Sequence, residues 1–157
     1  MNSPNKMLIA QWGESTAYSA KSHFKSADLK KWWIKVLVII NIVFATVSIL
    51  ELLSSIFNQI LGIISLTASV LILVFESQED KDVVRQHMTV GNQYLILHRE
   101  LQALYYQESI TDDEVDAVRL KLADLDQSVK PIINQTAKKI AKKAIEEKEE
   151  MTKWWSV

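Results

Sequence analysis

The chain has 157 residues, a formal net charge of −1, no cysteine, three glycines and two prolines. That composition excludes a disulfide framework, thiolate metal sites and cysteine nucleophiles, and it supplies too little Gly and Pro for phosphate-cradling loops or all-β turns. An all-α chain remains, large enough for one modest domain plus a membrane hairpin. A mean hydropathy near zero averages two unlike regions.

Residues 5 to 31 carry Leu8, Trp12, Ala17, Tyr18, the stem of Lys21, Phe24 and Ala27 at loosely helical spacing. This predicts an amphipathic helix lying on the membrane face or against other helices. A cleaved signal peptide is not expected, because charges recur from Lys6 to Lys35 and no apolar run ends in a small-residue cleavage site.

From Val36 to Phe75 the only charged residue is Glu51. About 20 apolar residues already cross a bilayer core, so the stretch predicts a hairpin of two spans, roughly Trp33 to Leu53 and Ile56 to Phe75. Glu51, Ser54, Ser55, Asn58 and Gln59 fall near the bend. Lys30, Lys31 and Lys35 precede the first span, and Lys81 and Arg85 follow the second, which places both termini of a multi-pass membrane protein in the cytoplasm. Trp32 and Trp33 suit the headgroup belt beside those lysines. Asn41, Ala45 and Ser48 share one face of the first span; Gly62, Ser65 and Ser69 share one face of the second. Such stripes either zip the hairpin together or line a water path in an oligomer, since two helices alone enclose no pore.

Beyond Phe75, Val83, His87, Val90, Tyr94, Leu97, Leu101 and Leu104 alternate at spacings of four and three. They predict a coiled-coil-like seam on a helix that continues the second span to about Tyr106. Thr111-Asp112-Asp113-Glu114 has the form of a capping box, opening a helix with Val115, Val118, Leu122, Leu125 and Val129 on one face and folding back on its predecessor. Pro131 ends it. The last helix, from about Ile132, has the stripe Ile133, Ala137, Ile140, Ala144 and Met151. Its lysines (138, 139, 142, 143) precede its glutamates (146, 147, 149, 150), the unfavourable order for the helix dipole. The blocks therefore point to subunit pairing, membrane-surface attraction or an anionic ligand, set against a solvated face of Glu–Lys pairs. Trp154 and Trp155 suggest burial in an oligomer contact or at the lipid surface. The organisation expected is a cytoplasmic N-terminal segment over 1–32, a hairpin over 33–75 and a cytoplasmic helical region over 76–157.

No catalytic constellation emerges, and neither a metal site nor a cofactor is expected. His23, His87 and His98 lack triad spacing. His87 fits a packed or interface histidine, and His23, among lysines, is a weak anion contact. Asp112, Asp113, Glu114 and Asp116 lack the Gly and alternating ligands of a calcium loop and read as helix-start acids.

Trp12, Tyr18, Ala20, Lys21, His23, Phe24 and Ala27, then Leu29, Lys30 and Lys31 ahead of two close spans and a helical tail, resemble the SLATT proteins over about residues 10 to 150. These are two-transmembrane effectors that accompany nucleotide-producing sensors in bacterial anti-phage systems. The resemblance implies a homo-oligomeric pore or membrane-damaging effector in the bacterial inner membrane, leading to abortive infection; a tetramer is the assembly guessed. It further implies a partner nucleotidyltransferase and gating by a nucleotide second messenger or, as in Hailong-type systems, a short DNA oligomer. No appended sensor domain is expected, so the ligand would act on the helical tail or through a partner. Around a symmetry axis, Lys138, Lys139, Lys142 and Lys143 of several copies would converge into a field suited to phosphates. A non-conducting membrane scaffold and a holin-like permeabilising protein are the alternatives.

Overall fold

The computed structural model describes residues 4–50, 54–75 and 78–156. Among them there are five α-helices and no strand: α1 Pro4–Ile49, α2 Ser55–Phe75, α3 Gln78–Tyr105, α4 Asp112–Gln127 and α5 Gln135–Glu146, followed by a 3-10 turn at Trp154–Ser156. The N-terminal stripe and the first span belong to one uninterrupted helix. Nothing in Pro4–Ile49 after its first residue breaks a helix, because the sole glycine there, Gly13, lies in a buried interior turn. Whether α2 runs on into α3, and how Glu51 sits at the bend, fall outside the described residues. By packing, the chain forms two compact units, Met1–Ala27 with Arg85–Val157, and Asp28–Val84.

The first unit is a helical bundle whose core joins α1, α3 and α4. The predicted seam forms that core, with His87, Val90, Tyr94, Leu97 and Leu101 all buried. Its partners lie in the same chain: Ile9 and Ala20 of α1, Val115, Val118 and Leu125 of α4, and Trp154. α4 runs antiparallel to α3, because Lys121 bonds Glu100 at 2.7 Å while Tyr94 bonds Asp126 at 2.6 Å. The N-terminal part of α1 is also antiparallel to α3, with Gly13 beside His98 and His23 beside His87. Its buried face is built from smaller residues than the periodicity suggested: Ile9, Gly13, Thr16, Ala17, Ala20, His23 and Ala27. Leu8, Trp12 and Phe24 flank that face half-buried. Small residues win because they let the helices approach: a Cβ on Gly91 of α3 would stand 2.7 Å from the Phe24 ring.

The capping box is complete. The Thr111 hydroxyl accepts from the Glu114 N–H at 3.3 Å, and the Glu114 carboxylate accepts from the Thr111 N–H at 2.9 Å. These bonds hold the Glu114 carboxyl below the usual carboxylate range, the backbone N–H of Thr111 contributing most. Thr111→Ala is expected to cost ~1 kcal/mol, read as a small downward shift in the thermal melt of the detergent-solubilised chain. An unchanged melt would show that the cap carries no weight.

The end of α4 departs from expectation. Val129 is fully exposed, because the helix stops at Gln127. Ser128 terminates it in an extended conformation, its hydroxyl donating to the Leu125 carbonyl at 2.7 Å. α5 begins at Gln135 rather than near Ile132, since the Asn134 side chain caps the N–H groups of Thr136 and Ala137 at 2.6 and 3.2 Å. Its buried face is Ala137, Ala141, Ala144 and Ile145, and Ile140 is exposed. The three alanines set the phase, because a helix docked by methyl groups approaches more closely than one docked by isoleucine.

The second unit is the hairpin, in which residues 28–49 of α1 and α2 run antiparallel. Both helices are long and apolar enough to cross a membrane. Outside their mutual contact they expose Ile39, Ile42, Ile49, Phe57, Ile63, Leu66 and Leu73. So much exposed aliphatic surface suits a lipid solvent rather than water.

Candidate functional site

Three groups of side chains carry the polar chemistry: one inside the hairpin, one in the bundle core and one on α5. In the hairpin, the Asn41 carboxamide donates to the Ser69 hydroxyl at 2.8 Å and accepts from the Ser65 hydroxyl at 2.5 Å. Nearer the bend, the Ser48 hydroxyl donates to the Asn58 carbonyl at 2.9 Å. Gly62 lies opposite, where a Cβ would just touch the Ser48 hydroxyl at 3.4 Å. Ala45 is half-buried one turn from Asn41. Within one protomer, therefore, the two polar stripes satisfy each other. Thr46 and Thr67, exposed on the outer surface, bond back to the carbonyls of Ile42 and Ile63 on their own helices.

Among the membrane-interface candidates, Lys31, Trp32, Trp33 and Lys35 are exposed and Lys30 is half-buried. The two indoles meet edge to face with centroids 5.0 Å apart. All five residues pack with the hairpin unit, since the division falls after Ala27.

The bundle core holds the three histidines, which sequence spacing left unconnected. His23 and His87 face each other with Nδ1 atoms 2.9 Å apart. An imidazole nitrogen either donates or accepts, so one ring presents Nδ1–H and the other a bare Nδ1. At least one ring is then neutral. Burial first, then the positive charge available to His87 and that of Lys130, press the His23 pKa down to about 4. The Tyr94 ring stacks on His23, its hydroxyl shared between Asp126 and Lys130. Burial and the bond to Asp126 push the Tyr94 hydroxyl above its ordinary value.

One turn-set away, His98 is fixed by two groups of opposite kind. The Gly13 carbonyl, 2.9 Å from Nδ1, only accepts; the Trp154 indole N–H, 3.0 Å from Nε2, only donates. His98 is therefore the neutral Nδ1–H tautomer, and burial keeps its pKa low. Trp154 lies in the chain's own core rather than in an oligomer contact or lipid, and Trp155 packs beside it. A terminal tryptophan is free to fold back into a slot that a glycine vacates, and Gly13 supplies one.

On α5, Lys138, Lys139, Lys142 and Lys143 are all exposed. The expected conflict with the helix dipole largely disappears, because the helix ends at Glu146 and Lys143 sits in its favourable last turn. Glu147, Glu149 and Glu150 lie beyond it. Glu149 takes a left-handed φ of 52°, and the turned-back strand brings Glu150 to Lys21 and Lys25 of α1. Bonds from those two lysines, Lys21 foremost, hold the Glu150 carboxyl below its usual range. Tyr18 donates to Glu146 at 3.0 Å; burial, reinforced by that carboxylate, pushes its pKa up to about 12. The acidic block thus docks the C-terminal segment onto α1. Among the described residues these lysines make surface pairs, Lys142 with Glu146 at 3.8 Å and Lys143 with Glu147 at 3.5 Å.

A strand-free chain whose two longest apolar helices pair through buried amide and hydroxyl groups is an all-α, two-span membrane protein. The family described as SMODS and SLOG-associating 2TM effector domain 6 matches residues 1–145, and the chain belongs to it. That membership makes it a membrane effector of defence systems. No curated protein and no solved structure matches it. Trp154 lies beyond the matched residues, whereas its contacts Gly13 and His98 lie within them.

Proposed function

We propose that several copies assemble in the bacterial cell membrane, with both termini cytoplasmic, into a pore that a nucleotide or oligonucleotide signal controls during phage infection. The observation that carries this reading is the match to a two-transmembrane effector family over residues 1–145, together with two helices sheathed in exposed aliphatic side chains. The family's association with SMODS systems supports a nucleotidyltransferase as the source of the signal. Lys138, Lys139, Lys142 and Lys143 are the proposed anion contacts, because all four are exposed and the pairs of Lys142 and Lys143 are weak surface ones. Replicated by symmetry, they would form a phosphate-binding ring whose occupancy decides whether the path is open.

The test is ion flux from liposomes containing the full chain, with and without cyclic dinucleotides or short DNA oligomers. Flux that responds to one of these ligands is expected, and replacing the four lysines with Ala should abolish salt-sensitive ligand binding. Ligand binding unchanged in that variant would remove the lysine assignment.

A second reading, a non-conducting membrane scaffold, is favoured by one observation. Asn41, Ser65 and Ser69 spend their hydrogen bonds on one another inside the protomer, which gives the stripes a packing role. No flux under any ligand, with retained self-association, would select it.

A further inference from the structure

On the hairpin unit, Lys31 and Lys35 of α1 and Lys81 of α3 rim an open groove of about 600 Å³ floored by Ile34, Val38 and Val84. Lys31 and Lys35 are one turn apart, and Ile34 and Val38 repeat the same spacing beside them, so α1 presents a cationic row over an apolar row. Lys81 and Val84, at the spacing of three, do the same from α3. No ion pair of Lys31, Lys35 or Lys81 is found among the described residues, in contrast to Lys21, Lys25, Lys121 and Lys130. Three cations above an aliphatic floor, with no carboxylate among the described lining residues, form an unusual surface. They repel one another, and the floor gains nothing from water.

We propose that this groove binds one acidic phospholipid, with its phosphate held by Lys31, Lys35 and Lys81 and an acyl chain laid along Ile34, Val38 and Val84. Concave sites combine an apolar lining with a few convergent polar groups, and basic pockets between spanning helices collect acidic headgroups. Both halves of the ligand are needed: a free phosphate leaves the floor wet, and an oligonucleotide brings no chain to cover it. The exposed pair Trp32 and Trp33 directly adjoins the lysines in sequence, as expected where headgroups lie. The site is separate from the anion contacts on α5 and does not depend on pore formation.

Native mass spectrometry of the full chain, released from mixed phosphatidylcholine and phosphatidylglycerol micelles, tests this. One phosphatidylglycerol per protomer should survive delipidation, in at least about tenfold preference over phosphatidylcholine. K31Q/K35Q/K81Q should lose that preference, K31R/K35R/K81R should keep it, and R119Q/K121Q/K148Q, which removes the same charge from the bundle, should leave it intact. Excess glycerol 1-phosphate should not displace the lipid. Equal retention of the two lipids by the wild type overturns the proposal, even if the glutamine variant fails to fold. So do undiminished retention in a folded glutamine triple variant, equal loss in the bundle variant, and displacement by glycerol 1-phosphate.

Discussion

Gly13→Ala is expected to destabilise the bundle severely although it adds a single methyl group to a helix interior, where alanine is ordinarily preferred over glycine. The added Cβ would lie 2.5 Å from Cζ2 of the Trp154 indole and 3.1 Å from its Cζ3. A rigid ring cannot bend away locally. The indole must leave its slot, and with it go the bond to His98 Nε2 and the ring contacts with Tyr105 and Trp155. Overpacking of this kind costs ~1–3 kcal/mol or more, against the ~1 kcal/mol that alanine gains by helix propensity. Trp154→Ala should cost ~3–5 kcal/mol, because a fully buried tryptophan leaves a large cavity and an unpaired histidine nitrogen. The two substitutions report on one contact, so they should not add. With the indole gone, the methyl at position 13 has room, and the double variant should be no less stable than Trp154→Ala alone. Chemical denaturation of the detergent-solubilised chain, followed by tryptophan fluorescence, gives all three values. A Gly13→Ala variant as stable as the wild type, or strict additivity, would show that Trp154 does not occupy the slot.

Features governed by near neighbours were legible in the sequence. The spans follow from a run with a single charge, the capping box from four residues, and the seam from alternating spacings that end up buried from His87 to Leu101. What eluded sequence reasoning depends on contacts between distant segments. The His23–His87 and His98–Trp154 pairs join α1 or the C-terminal turn to α3, and no spacing announces them. The presence of His87 on the seam was their only local trace. The small-residue face of α1 was partly masked for a related reason: apolar periodicity weighs Leu8, Trp12 and Phe24 with Ala17 and Ala27, whereas close packing keeps the two alanines and adds Gly13, Thr16 and Ala20. On α5 the charge order seemed unfavourable only while the helix was extended through the glutamates. Asn134 at the start and Glu149 in its left-handed turn shorten it, and Glu150 is then placed to hold α1.

Mild acid is expected to loosen the bundle, with the loss beginning where histidine titrates in an unfolded chain. His23 stays neutral in the fold down to about 4, against its ordinary 6.5. Between those values the unfolded state binds a proton that the folded state refuses, so stability is fully present above 6.5 and declines as pH falls through the window. At ~1.4 kcal/mol per pH unit, the difference accumulates to roughly 3 kcal/mol by pH 4. The geometry supplies the reason: two buried Nδ1 atoms 2.9 Å apart share one proton, and a second would set N–H against N–H. The groups facing the pair do not relieve this. Lys130 adds positive charge, Tyr94 is a neutral ring stacked on His23, and the Asp126 carboxylate is occupied by Tyr94 and Lys130. His98 acts in the same direction, since a proton on Nε2 would meet the Trp154 N–H. Denaturation midpoints measured from pH 7.5 to 5 should therefore fall steadily. His23→Gln should be less stable than the wild type at pH 7.5 but lose less on acidification. A flat profile in the wild type, or a His23→Gln variant with an undiminished slope, would mean that His23 is not held neutral by the fold.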